Sequence, residues 1–238
     1  MTIQDEVFIL KATLDAPVMT SHPIHIDGLL LAMREDRDGP EVVGTPFHEL
    51  ASKDKVFHAS AGFFVGSGLT PTRIVIHKTV RGMKFTGGRD DGRFSTEDRF
   101  INKMSPYYPK VGEYPTIEGA VAIVWQCRGD PEGCLSLARR IRGVGGRRNS
   151  GYGNIERWEV LPSEAPKETA GWRGSNGEVL RRLPMTWVEG PVPKGSMAVQ
   201  GRVEAPYFAP DDHIEIVAPT VESLMGSGSA AERILSYS

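Results

Sequence analysis

The stretch from Glu118 to Pro162 constrains the fold of this chain more than any other. It opens on EGAVAIVWQC (118–127), a nearly continuous apolar run, the pattern of a strand buried on both faces inside a sheet. Asp130-Pro131-Glu132 follows: an acidic cap, a proline in the first turn and a second acid, which together start a helix. That helix is expected to run to about Ile141 and to bury Leu135, Ala138 and Ile141. RRIRGVGGRRNSGYG (139–153) comes next, with five arginines, five glycines and no acid in fifteen residues. IERWEVLP (155–162) then reads as a strand. Strand, helix, loop and strand make a compact split βαβ half.

The preceding residues supply the other half. VFILKATL (7–14) alternates, with Phe8, Leu10, Ala12 and Leu14 on one side, and Pro17 ends it. IHIDGLLLAM (24–33) predicts a short helix behind Pro23, burying Ile26, Leu29, Leu30 and Met33. Residues 34–54 are charged and loop-like. VFHASAGFFV (56–65) and TRIVIHKTVR (72–81) read as two strands parted by Gly66, Gly68 and Pro71. The expected fold class is therefore α+β: a ferredoxin-like or RRM-like sheet with helices on one face. Residues 1–163 are expected to form this domain, interrupted by a long, hairpin-like insertion at 82–116. A Pro/Gly-rich, β-rich extension covers 164–222, with strands near 196–206 and 213–218, and a flexible tail covers 223–238.

Composition narrows the function. The 238 residues are 39% hydrophobic and 24% charged, as in an ordinary soluble globule. No apolar run is long enough for a bilayer and no secretory leader is seen, so a cytoplasmic protein without a membrane partner is expected. Cys127 and Cys134 lack ligand spacing and read as buried, reduced thiols. No acid, histidine or cysteine cluster suggests a metal, and no cofactor is expected. A formal charge of −2 disfavours a freestanding nucleic-acid binder. It still allows a local basic face.

The loop at 139–153 is the candidate for that face. Glycine admits φ > 0 and close approach of another backbone, and arginine presents a planar fork of donors suited to phosphate. Arg139, Arg142, Gly145, Gly146, Arg147, Arg148, Asn149, Ser150 and Tyr152 are the candidate RNA-binding residues there. The insertion interleaves Lys84, Arg89 and Arg93 with rings such as Phe94, a mixture that tracks phosphates and stacks on bases. Arg73, His77 and Arg81 on the strand entering it, and His25 at a helix start, complete the set. No catalytic residue is assigned, because the six histidines show no arrangement with a nucleophile or second base. Ribonuclease chemistry through His77 with Lys78 and Arg81, or Tyr152 with Arg148, stays open as an alternative. A phosphate-binding metabolic enzyme is a third reading. It is disfavoured because the loop follows a helix, whereas phosphate loops precede one.

PIHIDGLL (23–30) together with GGRRNSGYG (145–153) resembles the RAMP proteins of CRISPR–Cas systems, and most closely the Cas-five-type subunit of type IV effector complexes, the Csf-three family. The resemblance covers roughly residues 5–35 and 115–220. It implies a single, non-catalytic subunit that caps the 5′ handle of the CRISPR RNA. Its implied partners are that RNA, the repeated backbone RAMP subunit and the large subunit, with target DNA near the guide 5′ end also within reach, in RNA-guided antiviral defence. Insertion 82–116 is then the candidate thumb. The alternative within the same superfamily is an endoribonuclease that processes precursor CRISPR RNA.

Overall fold

The computed structural model describes residues 5–42, 45–81, 107–207 and 211–225, with the side chains of 75–81 and 107–113 left aside. Lys84, Arg89, Arg93 and Phe94, most of the candidate thumb and the tail after 225 lie outside the described residues. The chain begins β1 (Glu6–Leu14), β2 (Val18–Met19), α1 (Ile26–Asp38), β3 (Ser52–Lys53), β4 (Val56–Phe57) and β5 (Phe63–Val65). It continues with β6 (Thr70–Arg81), β7 (Tyr107–Glu118), β8 (Ala122–Gly129), α2 (Pro131–Ala138) and β9 (Ile155–Pro162). It finishes with β10 (Leu183–Pro184), β11 (Ser196–Gly201) and β12 (Ile214–Pro219). This is a mixed α+β chain with antiparallel sheets and few helices. Residues 1–72 and 116–238 make one compact unit, and 73–115 make another that holds most of β6 and β7.

The main sheet has the order β5-β8-β1-β9, and every pairing in it is antiparallel. Taken with α1 and α2, its connectivity is β-α-β-β-α-β, with β1 placed between β8 and β9. β8 is interior because its apolar run buries both faces. Trp125, Val124 and Ile123 are all 0% exposed. The strand starts at Ala122 rather than Glu118, since Gly119 (φ +78°) turns the chain out of β7. Asp130 caps α2 by accepting from the Glu132 N–H at 3.1 Å. The buried tryptophans satisfy their indole N–H groups on backbone: Trp125 donates to Ile24 O at 2.9 Å and Trp158 to Ile141 O at 3.0 Å.

Several expectations change. α1 starts at Ile26, with His25 as its N-cap residue, and runs through Asp38, so residues 34–38 are helical rather than loop. Gly39 (φ +92°) ends it. The expected strand 56–65 is split into β4 and β5, because Ala59 and Ala61 make only isolated bridges to Cys127 and His25. Residues 107–116, the end of the hairpin-like insertion, belong to β7. The extension places its strands at β11 and β12, close to the expected ranges, and adds the short β10. Both cysteines are free and buried.

Candidate nucleic-acid interface

The arginine-glycine loop hangs from a short two-stranded stem. Ile155 N donates to Arg142 O at 3.0 Å, Val144 N to Gly153 O at 2.8 Å, and Gly143 bridges Asn154. Two further bonds tie it to the segment after β1: Gly146 N to Met19 O at 2.7 Å and Gly153 N to Pro17 O at 2.8 Å. Val144, 1% exposed, plugs the core beneath. The tip is a 3-10 turn, Arg148–Ser150, flanked by Arg147 (φ +56°) and Gly151 (φ +85°) in left-handed backbone. Arg147 there carries a side chain in a region that ordinarily favours glycine.

This anchoring separates the glycines by role. A Cβ at Gly145 would meet Met19 O at 2.5 Å, and one at Gly153 would meet Val144 O at 2.0 Å. Those two serve close approach of the chain to itself. A Cβ at Gly151 would meet nothing within 4 Å, and one at Gly146 would be 3.5 Å from Met19 O. Only these last two leave room for another molecule.

The basic residues divide likewise. Arg140 is held by Asp36 of α1 at 2.6 Å. Arg139, Arg142 and Arg148 are exposed and make no ion pair among the described residues. Arg148 lays its stem over Gly143, where an added Cβ would sit 3.5 Å from Arg148 Cγ. Asn149 and Ser150 are exposed at the tip, and Arg147 and Tyr152 are half-buried. The result is a loop anchored by backbone hydrogen bonds whose Arg139, Arg142 and Arg148 forks have no counter-charge among the described residues, which suits a polyanion. Arg73 is exposed on β6 in the other unit, and His77 and Arg81 are described by their strand backbone alone.

His25 is placed differently from the expectation. It is buried, 6% exposed, packed on the Tyr207 ring with centroids 4.6 Å apart, and neither ring nitrogen has a hydrogen-bond partner among the described residues. Burial pushes its pKa down to about 3, against an opposing pull from Asp27. Its ring is therefore not presented to a ligand at the surface.

Sequence reasoning missed what surrounds it. Asp27 and Arg181, both 0% exposed, form an ion pair at 3.2 Å. Arg181 also donates to Phe57 O, Ala59 O, Val203 O and the Tyr207 hydroxyl, and Tyr207 donates to Asp27. Burial raises the Asp27 pKa, but Arg181, His25 and the Tyr207 hydroxyl outweigh it and hold the carboxyl below its ordinary value. Gly28 leaves space for Tyr207, whose Cε2 would lie 3.6 Å from a Cβ there. The HIDG motif thus locks α1 to the extension. The sequence holds one signal for it: Asp27 sits three residues before Leu30, on the stripe of α1 that faces the core.

No helix of the described residues is long and apolar enough to cross a membrane. Among those residues no group of three or more His, Cys, Asp or Glu could hold a metal. No family model matches this chain, and no curated protein matches it. One solved structure, described as the Type III-B Cmr-beta bound to cognate target RNA, contains a chain similar to this one. The match has 14% identity and a TM-score of 0.40, and it covers 66% of this chain and 61% of that chain. A likeness at that score carries no functional inference.

Proposed function

We propose that this chain is a CRISPR RNA-binding subunit of the RAMP type, in the manner of the type IV Csf-three family, and that it grips the 5′ handle of the guide through the loop at 139–153. The observation that carries this reading is the set Arg139, Arg142 and Arg148, exposed and without ion pairs among the described residues, on a loop pinned to the segment after β1. The β-α-β-β-α-β sheet, with a glycine-rich loop between α2 and β9, agrees with the family resemblance of the HIDGLLL and GGRRNSGYG motifs. The backbone RAMP subunit and the large subunit are the protein partners in this reading. The role is binding rather than cleavage. Of the six histidines, His25 and His58 are buried away from the surface.

Binding of repeat-derived RNA, followed by anisotropy across a salt series, tests the proposal. The double variant Arg142→Ala/Arg148→Ala should weaken binding and flatten the log–log salt dependence by about 0.7 for each phosphate no longer neutralised. Unchanged affinity and slope would assign the loop a structural role. Defined, metal-independent cleavage of the same RNA would favour the processing endoribonuclease instead.

A further inference from the structure

A second site lies away from the loop, in the extension. A cleft of about 250 Å³ is lined by Lys53, Thr169, Trp172, Arg173, Leu183 and Trp187. Its chemistry is unusual for a surface dent: two indoles, two cations, a hydroxyl and an aliphatic floor, with no acid. The aromatic wall is braced from behind. Trp172 stacks on buried His58 at 3.6 Å, and its indole N–H donates to Phe57 O at 2.8 Å. Trp187 leans on Trp172 with centroids 5.1 Å apart and remains half-exposed. Arg173 fixes the Trp187 backbone by donating to its carbonyl at 2.6 Å. Lys53 is exposed, with Nζ 5.6 Å from the centroid of the Trp187 ring.

We propose that this cleft is a nucleotide subsite, in which one base stacks on Trp187 over the Leu183 floor and its phosphate is met by Lys53 and the edge of Arg173. Lys53 now covers the ring as a cation. A base that took its place would free the flexible lysine stem to reach the phosphate. A base offers a π-face that the indole accepts whatever the sequence, and the acid-free rim favours the anion it carries. The nucleotide could come from an RNA strand or free from solution, and the two share this chemistry. The site rests on residues outside the 139–153 loop, so it stands or falls apart from the role proposed for that loop.

Titration of the whole chain with AMP, adenosine and oligo(rA), read by tryptophan fluorescence and anisotropy, decides the matter. AMP or the oligomer should bind, and Trp187→Leu should weaken that binding about tenfold or more. Lys53→Glu should weaken AMP and oligomer but leave adenosine unchanged. Lys53 is exposed, so this variant should keep its fold even if Trp187→Leu does not, and Trp187→Phe should retain most of the affinity. Binding of both AMP and oligomer, with these losses, assigns the site to nucleotides in general. Binding of the oligomer alone, with the same losses, assigns it to a strand. Absence of binding, or binding that ignores Lys53→Glu and Trp187→Leu while responding to Arg142→Ala/Arg148→Ala, overturns the subsite and leaves the loop proposal untouched.

Discussion

His25 illustrates how one residue can carry a motif without touching a ligand. Its ring nitrogens find no hydrogen-bond partner among the described residues, its N-cap position makes no side-chain bond to the helix, and its ring is packed on Tyr207. The pH consequence follows from the direction of its shift. In the unfolded chain the imidazole gains a proton as pH falls through about 6.5, whereas the folded pKa of about 3 keeps it neutral. Stability is therefore complete above about 6.5 and declines towards pH 3, by at most about 1.4 kcal/mol per pH unit for one proton. Asp27 acts in the same direction but only near and below its ordinary carboxylate range, so the two windows are separable. Thermal melts between pH 7.5 and 4.5 should show this decline in the wild type. His25→Phe keeps the packing on Tyr207 and removes the titration. It should match or exceed the wild type at pH 7 and lose melting temperature less steeply than the wild type down to pH 4.5, the remaining decline including that of His58, whose pKa burial also lowers. An unaltered slope in that variant would mean that other groups dominate the acid response.

At the scale of elements, local signals are legible wherever an element's partners are close in sequence. The α2 cap at Asp130 and the alternation of β1 appear where the pattern places them, and β8 keeps the buried core of its expected run while starting at Ala122, because each depends largely on its own residues. The apolar pattern makes α1 too short, since Arg34 to Asp38 are polar yet compatible with a helix that stops only at Gly39. It makes the 56–65 strand too long. The middle of that segment is taken up by Arg181, which claims the carbonyls of Phe57 and Ala59 from far along the chain. No local signal encodes that. Composition locates the glycine loop but assigns its glycines one role where the structure gives two. Gly153→Ala should therefore be severely destabilising, because its Cβ would sit 2.0 Å from a backbone oxygen. Gly151→Ala meets no neighbour and should cost only the left-handed backbone penalty, about 1–2 kcal/mol. If the RNA backbone passes the tip, Gly151→Ala should weaken RNA binding beyond that modest fall in melting temperature. Equal melting temperatures for the two variants would contradict the anchoring geometry.

For the whole molecule, the question is whether the sequence after β9 is an appendage or part of the fold. Residues 116–238 cluster with 1–72 as one unit. Ala170, Leu180, Arg181 and Leu183 are each at most 1% exposed. Bonds also cross between the two parts: Ala61 N donates to Leu180 O at 2.7 Å, and Gly171 N to Gln126 Oε1 at 2.9 Å. The strongest link is electrostatic. Without Arg181 and Tyr207, Asp27 would be a buried charge facing only a neutral, buried imidazole. Removing one partner of such a pair costs about 3–5 kcal/mol, against a total stability of about 5–15 kcal/mol for a domain. The apolar surface uncovered under Leu180 adds to that loss. A chain cut after residue 163 should therefore show no cooperative thermal transition, even though it retains β1, α1, β5, β8, α2 and β9. Asp27→Asn in the cut chain removes the orphaned charge and should recover part of the helical signal without restoring a sharp melt. Circular dichroism melts of the two cut chains beside the full chain provide the comparison. A cooperative transition in the cut wild-type chain, at or near the full-length midpoint, would show that the six-element core folds alone and that the Asp27–Arg181–Tyr207 lock fastens a separable module.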